Sequence, residues 1–306
     1  MSRHVPVLLQ ETLEFLQPRH NGAYIDATFG GGGHTRAILS VLGRQGRLLA
    51  LDANPKVVRD AQSDEHFTVV HENFRDIRTV ADQYAFADVD GILFDLGISS
   101  DMLEDASRGF SFQAEGVLDM RFDPTQPLNA FEIIAAWAEP RLTQIFRAFG
   151  EERFASRVAR AIVQARSNHS IRTTTELASI IRSAVPGRFQ KKANDVTRRI
   201  FQSLRIAVND ELDSLESALP DAFELLRPGG RMVVISFHSL EDRIVKRYFK
   251  ALARGCICPP EFPECRCGKK PRARILTRKP VTASVTEINS NPRAASAKLR
   301  AIEKVT

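Results

Sequence analysis

The stretch "AYIDATFGGGGHTRAIL", residues 23–39, decides the fold. It begins with an apolar run typical of a buried strand, passes through four consecutive glycines and ends in a helix-like sequence. A strand, a glycine-rich loop and a helix in this order present backbone N–H groups and a helix N-terminus to a ligand. Asp52 ends the next apolar run, 19 residues after Gly33, where an acidic side chain binds ribose hydroxyls in nucleotide-binding folds. The sequence therefore predicts a site for a ligand that contains a nucleoside.

The spacing of the glycines narrows the choice of ligand. The dinucleotide pattern needs a third small residue for close helix–strand packing, but Thr35 or Arg36 occupies that position here. No Gly-Lys-Ser/Thr follows, which excludes a phosphate-binding P-loop. S-adenosylmethionine (SAM), a nucleoside cofactor without phosphates, is the common remaining ligand, and Asp26 is expected to favour its cationic methionine end. The alternative is a glycine-rich turn that holds no ligand.

The first hundred residues alternate strand and helix patterns. Apolar strand patterns occur at 22–28, 46–52, 67–74, 89–100 and, much later, 231–237. Short apolar strands separated by helices predict a mostly parallel sheet with both faces covered. We therefore expect an α/β fold.

The pattern changes after the fourth strand. Residues 101–130 lack periodicity and predict a long functional loop, and the segment that follows reads as wholly helical. It includes one long helix predicted to run from Asp195 to Leu219. We predict a discontinuous sheet domain at 1–104 and 217–306, interrupted by an inserted loop and helical domain at 105–216.

Positive charge is concentrated in two segments. Residues 141–205 hold 14 Lys and Arg against 4 Asp and Glu, and residues 241–306 hold 16 against 6, although the whole chain is only +6. Two basic segments on an acidic body are typical of a protein that binds a polyanion such as RNA. Solvated helix faces are the alternative. The candidate RNA-contacting residues are Arg153, Arg157, Arg160, Arg198, Arg199 and the basic cluster at 266–279.

Long strings spread along the chain resemble those of a known family. They include "HVPVLLQE", "YIDATFGGGGHTRAIL", "DGILFDLGISS", "RGFSF", "LDMRFDP", "GEERFASRVARAIV", "TRRIFQSLRIAVNDEL", "ISFHSLEDRIVKRYF" and "NPRAASAKLRAIE". Together they are similar to the bacterial ribosomal RNA small subunit methyltransferase H family. The resemblance implies a class I SAM-dependent methyltransferase fold, Rossmann-like with a mostly parallel sheet, and an inserted all-helical domain.

The resemblance also implies an activity and a partner. The expected reaction is methylation by SAM of the N4 amino group of a cytidine in 16S rRNA, at position 1402 in standard numbering. The expected partner is 16S rRNA or the small ribosomal subunit. The rival hypotheses are a SAM-dependent methyltransferase of another substrate and a non-catalytic RNA-binding ribosome assembly factor. The two basic segments argue against a small neutral substrate.

The family's cofactor contacts can be carried over to the matching positions. They fall on Gly32, Gly33, His34, Asp52, Phe74 and Asp95. The family commonly has a glutamine a few residues beyond "LGxSS", and Met102 occupies this position here. A thioether cannot both donate and accept hydrogen bonds as an amide does. The contact at Met102 is therefore lost, made by the backbone or supplied by Asp101.

Methyl transfer to the N4 atom of cytosine calls for a hydrogen-bond acceptor, because the lone pair of that nitrogen is delocalised into the ring. Asp95, at the predicted end of the fourth strand, is the candidate acceptor. Amino-directed DNA methyltransferases often carry an Asn/Asp-Pro-Pro-aromatic loop there, whereas this chain has "DLGISS". Asp119 in "LDMRFDP" and His238 in "SFHSLED" are further catalytic candidates. Helix capping is the alternative role for His238.

All four cysteines lie in "CICPPEFPECRC", residues 256–267. They form two Cys-x-Cys pairs separated by six residues. Four thiols grouped in this way predict a zinc site. Its ligands are Cys256, Cys258, Cys265 and Cys267. The alternatives are reduced thiols in a cytosolic loop or a redox-labile pair, since the spacing is tighter than in common zinc-binding pairs.

The sequence contains no sign of a membrane partner. No apolar run is long enough to span a bilayer, and "MSRHVPVLLQE" at the N-terminus lacks the pattern of a signal peptide. We therefore expect a cytoplasmic protein. The oligomeric state is left open, a homodimer included.

Overall fold

The chain forms two compact units. The computed structural model describes residues 6–256, 258–259, 262, 264 and 266–306. The first unit comprises the described residues up to Gly97 together with Leu212–Thr306, and the second comprises Ile98–Glu211. The second unit begins and ends slightly earlier in the chain than the insertion predicted at 105–216.

A sheet of seven strands forms the framework of the first unit within the described residues. The strands are β1 (Ala23–Asp26), β2 (Arg47–Asp52), β3 (Phe67–His71), β4 (Val89–Asp95), β5 (Leu226–Ser236), β6 (Ala273–Ile275) and β7 (Lys298–Lys304). Their order across the sheet is β3-β2-β1-β4-β5-β7-β6. Strands β1 to β5 run parallel, whereas β7 is antiparallel to β5 and β6. The predicted α/β class with a Rossmann-like, mostly parallel sheet is confirmed.

Helices alternate with the strands of the first unit and form most of the second. They are α1 (Leu9–Leu16), α2 (Gly33–Leu39), α3 (Pro55–Asp60), α4 (Ile77–Gln83), α5 (Ser100–Glu104), α6 (Ala130–Ala136), α7 (Glu139–Ala148), α8 (Ala155–Arg166), α9 (Thr174–Ala184), α10 (Ala193–Asn209), α11 (Glu211–Leu225), α12 (Ser239–Ala253) and α13 (Val285–Ser290). Short 3₁₀ helices lie at Phe74–Asp76, Ala106–Arg108, Gly187–Lys192 and Pro292–Ser296. None of the helices in the described ranges has the length and apolar character that crossing a membrane requires.

Both faces of the sheet are buried. Along β2, Leu49 and Leu51 pack in one hydrophobic cluster, while Leu48 and Ala50 pack in another. Alternate side chains of a strand point to opposite faces of the sheet. A strand covered on both sides therefore needs a continuous apolar run, and this is why the strand patterns are legible in the sequence.

The order of the strands reverses at β1. The chain moves outward from β1 through β2 to β3, and then returns to β4 on the other side of β1. Ligands of open α/β sheets bind at such a switch point, outside the carboxyl ends of the strands. Asp26 ends β1 and Asp95 ends β4. Two carboxylates therefore lie at the edge of the sheet where a ligand is expected.

The second unit has its own hydrophobic core, to which α8 and α10 contribute. Helix α8 buries Val158 and Ile162, which recur at helical spacing. The prediction of a single helix from Asp195 to Leu219 is wrong. The chain leaves the helical conformation at Asp210, whose φ of +51° is left-handed, so α10 and α11 are separate helices. An aspartate tolerates this conformation better than most residues, and neither glycine nor proline signals the break.

Candidate functional site

The glycine loop between β1 and α2 has a backbone that only glycine adopts readily. Gly30 and Gly32 have φ values of +52° and +69°, in the left-handed region. A Cβ atom on Gly32 would lie 2.9 Å from the ring of Phe29, and a Cβ on Gly33 would lie 2.2 Å from Cγ of Pro6. The sequence keeps these positions free of side chains because the loop packs closely against its surroundings.

Asp26 fixes the start of this loop. Its Oδ2 accepts a hydrogen bond of 2.6 Å from Thr35 Oγ1, and its Oδ1 accepts one of 3.1 Å from the backbone N–H of Thr28. The residue is only 1% exposed, and burial raises the pKa of its carboxyl. The expectation that Asp26 faces the cationic end of a cofactor is therefore not supported by its geometry. Asp26 instead ties β1 to α2.

Asp52, at the end of β2, supports the loop from the other side. Its Oδ2 accepts a hydrogen bond of 2.7 Å from Gly30 N–H, and its Oδ1 accepts one of 2.8 Å from Asn54 N–H. Burial raises the pKa of this carboxyl. Each carboxylate oxygen can accept two hydrogen bonds, so Asp52 keeps capacity to accept hydroxyl groups from a ligand.

His34 and Asp95 meet where α2 begins and β4 ends. Their Nε2 and Oδ2 atoms are 3.5 Å apart, and the backbone N–H of Asp95 donates a 2.6 Å hydrogen bond to Thr28 Oγ1. Burial opposes protonation of His34, but the neighbouring carboxylate of Asp95 outweighs it, so the pKa of His34 is raised. Within the described residues, Asp95 Oδ1 is a buried atom without a hydrogen-bond partner.

Phe74 follows β3 at the same edge of the sheet. It begins a 3₁₀ helix whose N-cap is Asn73, and the Asn73 side chain accepts a 2.9 Å hydrogen bond from Arg75 N–H. The half-buried Phe74 ring lies edge-on to Phe94, with ring centroids 5.8 Å apart. One side of the ring thus belongs to the core, and the remainder is available to a ligand.

Six predicted cofactor contacts are therefore arranged at the carboxyl ends of β1 to β4 in the first unit. They are Gly32, Gly33, His34, Asp52, Phe74 and Asp95. Sequence reasoning missed Thr28 and Thr35, which join Asp26 and Asp95 to the loop. Their signal is weak, because a threonine at a strand end or in a helix has many ordinary roles.

Two other predicted site residues belong to the second unit. Met102 lies in α5, where its N–H donates to the N-cap Ser99 Oγ at 3.2 Å, and its side chain packs against the core of that unit. Asp119 accepts hydrogen bonds from Arg121, the shortest at 2.7 Å. Burial opposes ionisation of Asp119, but the bonds from Arg121 outweigh it and lower its pKa. Asp119 thus forms a stable ion pair that shapes its own loop.

His238 lies at the end of β5 and is the N-cap of α12. Its side chain accepts from Glu241 N–H, while Glu241 Oε2 accepts from the backbone N–H of His238 at 3.2 Å, which completes a capping box. The Nε2 atom of His238 also lies 3.2 Å from Glu241 Oε1. Helix capping accounts for the burial and orientation of this histidine.

The predicted RNA-contacting arginines differ in their surroundings. Arg157 and Arg160 are exposed on α8, and Arg153 is exposed just before it. The Arg153 guanidinium lies 4.2 Å from the centre of the Phe189 ring. Arg198 pairs with Asp195 on the surface of α10. Arg199 instead lies 2.7 Å from Glu152, whose side chain is completely buried. Arg199 therefore has a structural partner.

Three of the four cysteines are within the described residues. The sulfur atoms of Cys256, Cys258 and Cys267 all lie within 4.8 Å of one another. Cys265, the fourth predicted zinc ligand, lies outside the described residues. The cluster belongs to the segment between α12 and β6, in the first unit.

Known proteins resemble this chain over almost its whole length. The model of the MraW methylase family matches residues 1–305 of the chain. The ribosomal RNA small subunit methyltransferase H of Thermomicrobium roseum is 51% identical over 99% of this chain and 94% of that protein. The proteins of the same name from Heliobacterium modesticaldum and Halothermothrix orenii are 47% and 45% identical, and each comparison covers at least 98% of both chains. The resemblance found in the sequence is confirmed: the chain belongs to the MraW methylase family and is a methyltransferase.

Proposed function

We propose that this methyltransferase uses SAM to methylate the N4 amino group of a cytidine in 16S rRNA of the small ribosomal subunit. Relatives of 45% to 51% identity are named ribosomal RNA small subunit methyltransferases, which supports an rRNA substrate. The glycine loop at the switch point of the sheet supports SAM as the methyl donor. The N4 position rests on the family resemblance of the sequence.

The observation that carries the proposal is an unsatisfied carboxylate oxygen beside the glycine loop. Asp95 Oδ1 is buried and has no hydrogen-bond partner in the described part of the chain. Buried polar atoms are normally paired, so a buried acceptor of this kind at the ligand edge of a sheet fits a bound polar molecule. The positive φ of Gly32 and the carboxylate of Asp52 along the same edge fit a nucleoside cofactor.

Different residues of the first unit would contact different parts of this cofactor. SAM would supply a methyl group that is already activated on its sulfonium. Asp52 supports the glycine loop through Gly30 N–H and offers its remaining acceptor capacity to the ribose hydroxyls. Phe74 offers the free part of its ring to the adenine. Gly32 and Gly33 let the backbone approach the ligand without interference from side chains.

Asp95 acts on the nucleophile. Its Oδ1 would accept a hydrogen bond from the N4 amino group, which returns electron density to the nitrogen, and would take the N4 proton on methylation. The methyl group would come from the sulfonium of SAM, whose sulfur keeps the electron pair of the broken C–S bond and leaves as a neutral thioether. His34, 3.5 Å from Oδ2, stabilises the ionised carboxylate and fixes its orientation. This chemistry needs no metal, so zinc at the cysteine cluster would be structural.

The exposed arginines of the second unit are suited to hold RNA. Arg157 and Arg160 are exposed on α8 and Arg153 is exposed just before its N-cap, where guanidinium groups can contact phosphates. Arg153 also lies against the Phe154 and Phe189 rings, 4.6 and 4.2 Å from their centres. An aromatic pair beside a cation is an arrangement on which unpaired bases stack.

Transfer of a labelled methyl group tests the proposal. The full-length protein is incubated with SAM labelled in its methyl group and with either free 16S rRNA or small subunits that lack the modification. The RNA is then digested to nucleosides and analysed by mass spectrometry. The expected product is N4-methylcytidine at a single site, and Asp95→Asn should abolish it.

Each remaining outcome separates the proposal from a rival. Label in a protein, or in another position of the nucleoside, would identify a different substrate or atom and overturn the N4 assignment. Tight binding to the subunit without any transfer of label would favour a non-catalytic assembly factor. Transfer to assembled subunits but not to free rRNA would identify the particle as the substrate.

A further inference from the structure

The cysteine cluster has the dimensions of a thiolate metal site. The Cys256 and Cys267 sulfur atoms are 3.7 Å apart, and both lie within 4.8 Å of the Cys258 sulfur. A tetrahedral zinc ion with Zn–S bonds of about 2.3 Å holds its sulfur atoms about 3.8 Å from one another. The distance between the Cys256 and Cys267 sulfur atoms matches this spacing, and the Cys258 sulfur lies close enough to join them.

Backbone N–H groups point at two of these sulfur atoms. Cys258 N–H donates to Cys256 Sγ at 3.4 Å, and Arg266 N–H donates to Cys258 Sγ at 3.3 Å. Such hydrogen bonds from the second shell orient metal-bound thiolates and stabilise their negative charge. The first bond links the two ends of one Cys-x-Cys pair, and the second links that pair to the other.

We propose that this cluster binds one structural zinc ion. Cys256, Cys258 and Cys267 supply three thiolate ligands, and the sequence offers Cys265, outside the described residues, as the fourth. Soft thiolate ligands in a tetrahedral set select zinc over the hard divalent cations. Four thiolates around Zn²⁺ leave two net negative charges, which the neighbouring Arg266, Lys269 and Lys270 offset.

The ion holds the connection between α12 and β6. This connection is closed at its base by Arg272 N–H, which donates to Leu252 O at 2.8 Å. Arg266 also lies over the Phe262 ring, 5.5 Å from its centre. Zinc would hold Cys256, Cys258 and Cys267 together and so fix the start of the basic stretch 266–279. This proposal is independent of methyl transfer, because none of the cysteines is among the predicted cofactor contacts at the carboxyl ends of β1 to β4.

Metal content of the purified full-length protein tests the site. The protein is prepared under reducing conditions without chelators and analysed by inductively coupled plasma mass spectrometry. We expect about one zinc per chain, released when the thiols are modified with a mercurial. Less than about a tenth of an equivalent, with no uptake on addition of zinc, would overturn the proposal.

Single substitutions assign the ligands. Cys256→Ser and Cys267→Ser should each lose most of the zinc and lower the melting temperature, whereas Lys250→Ser in the last turn of α12 should keep one equivalent. Cys265→Ser should behave like the other two cysteine variants. Replacement of zinc by Co²⁺ should give the strong visible absorption of a tetrahedral thiolate complex in the wild type and not in the cysteine variants. Retention of full zinc by Cys256→Ser and Cys267→Ser would contradict the assignment.

A disulfide is the competing explanation for the short distance between sulfur atoms. The intact mass of the freshly purified protein distinguishes the two, because each disulfide removes two hydrogens. A chain with all four thiols reduced and one zinc supports the proposal. A disulfide between Cys256 and Cys267 in protein without zinc would contradict the zinc site and identify the two cysteines as a redox-labile pair.

Discussion

His34 and Asp95 form an ion pair with 3.5 Å between Nε2 and Oδ2, in which the histidine is buried and the aspartate partly buried. The two residues come from different elements, because His34 lies in the first turn of α2 and Asp95 ends β4. The backbone of Asp95 is also bonded to Thr28 in the turn that leads into the glycine loop. The pair therefore joins the glycine loop, our proposed cofactor site, to the carboxylate that we propose binds the N4 amino group.

The first prediction concerns the pH dependence of stability. The pKa of His34 is raised in the folded protein. Protonated His34 therefore adds to the free energy of unfolding. This contribution is fully present below the unfolded pKa of about 6.5 and is lost as the pH rises through the folded pKa. The charges that favour protonation are those of Asp95 and Asp26. The difference in unfolding free energy between the wild type and His34→Gln should therefore shrink as the pH rises above about 6.5.

Urea unfolding at several pH values measures this difference. His169→Gln, which replaces an exposed histidine of the second unit, is the matched control and should show no such trend. A difference between wild type and His34→Gln that grew with pH would show that His34 is buried as the neutral form.

The second prediction concerns Asp52. Asp52→Ala removes the acceptor for Gly30 and Asn54 N–H together with the proposed contact to ribose. Loss of hydrogen bonds to a charged group should weaken SAM binding by about 10- to 100-fold. Isothermal titration calorimetry with SAM checks this, with Asp60→Ala, an exposed carboxylate at the end of α3, as the control. Equal affinities for SAM in all three proteins would exclude Asp52 from the cofactor site.

The third prediction concerns the RNA surface of α8. Arg157→Ala should weaken RNA binding and lower the slope of log affinity against log salt by roughly 0.7 to 0.9. The slope is measured by filter binding or fluorescence anisotropy over a range of salt concentrations. The melting temperature should stay unchanged, because Arg157 is exposed. An unchanged slope of log affinity against log salt would show that Arg157 contacts no phosphate and that this face of α8 is an ordinary solvated surface.

The fourth prediction separates Arg199 from the other arginines. Arg199→Ala leaves the completely buried Glu152 carboxylate without its cation, so the protein should lose at least about 2 kcal/mol of unfolding free energy. Chemical denaturation measures this loss. The double variant Arg199→Ala with Glu152→Gln should recover part of it. A stable Arg199→Ala protein with weakened RNA binding would instead make Arg199 part of the RNA surface.

The sequence predicts the parallel part of the sheet well, because each of these strands is a short apolar run between helices. The C-terminal part is harder to predict. Strand β7, "KLRAIEK", carries charged residues that a pattern assigns to solvent, yet Arg300 and Lys304 are only 7% and 8% exposed. Arg300 pairs with Asp242 at 2.6 Å, and the Lys304 ammonium donates to Leu226 O at 2.6 Å. Part of the basic charge at this end of the chain is therefore structural.

At the carboxyl ends of β1 to β4, some of the site residues can be predicted from the sequence and others cannot. The glycines and Asp52 are recognisable by spacing, because a backbone turn and the next strand end fix their separation. The role of Asp26 is not recognisable from the sequence. Only its burial and its hydrogen bonds with Thr28 and Thr35 show that it stabilises the glycine loop. Asp119 and His238 look equally catalytic in the sequence, and their local partners, Arg121 and Glu241, become apparent only in three dimensions.

The central claim is that Asp95 accepts the proton of the N4 amino group. The most direct test is the single-turnover rate of Asp95→Asn with both SAM and the RNA substrate at saturation, alongside its dissociation constant for SAM. We expect the single-turnover rate of Asp95→Asn to be about 10²- to 10⁴-fold below that of the wild type, with the affinity for SAM changed only slightly. Full recovery of the rate at saturating SAM would show that Asp95 only binds the cofactor, and would contradict the claim.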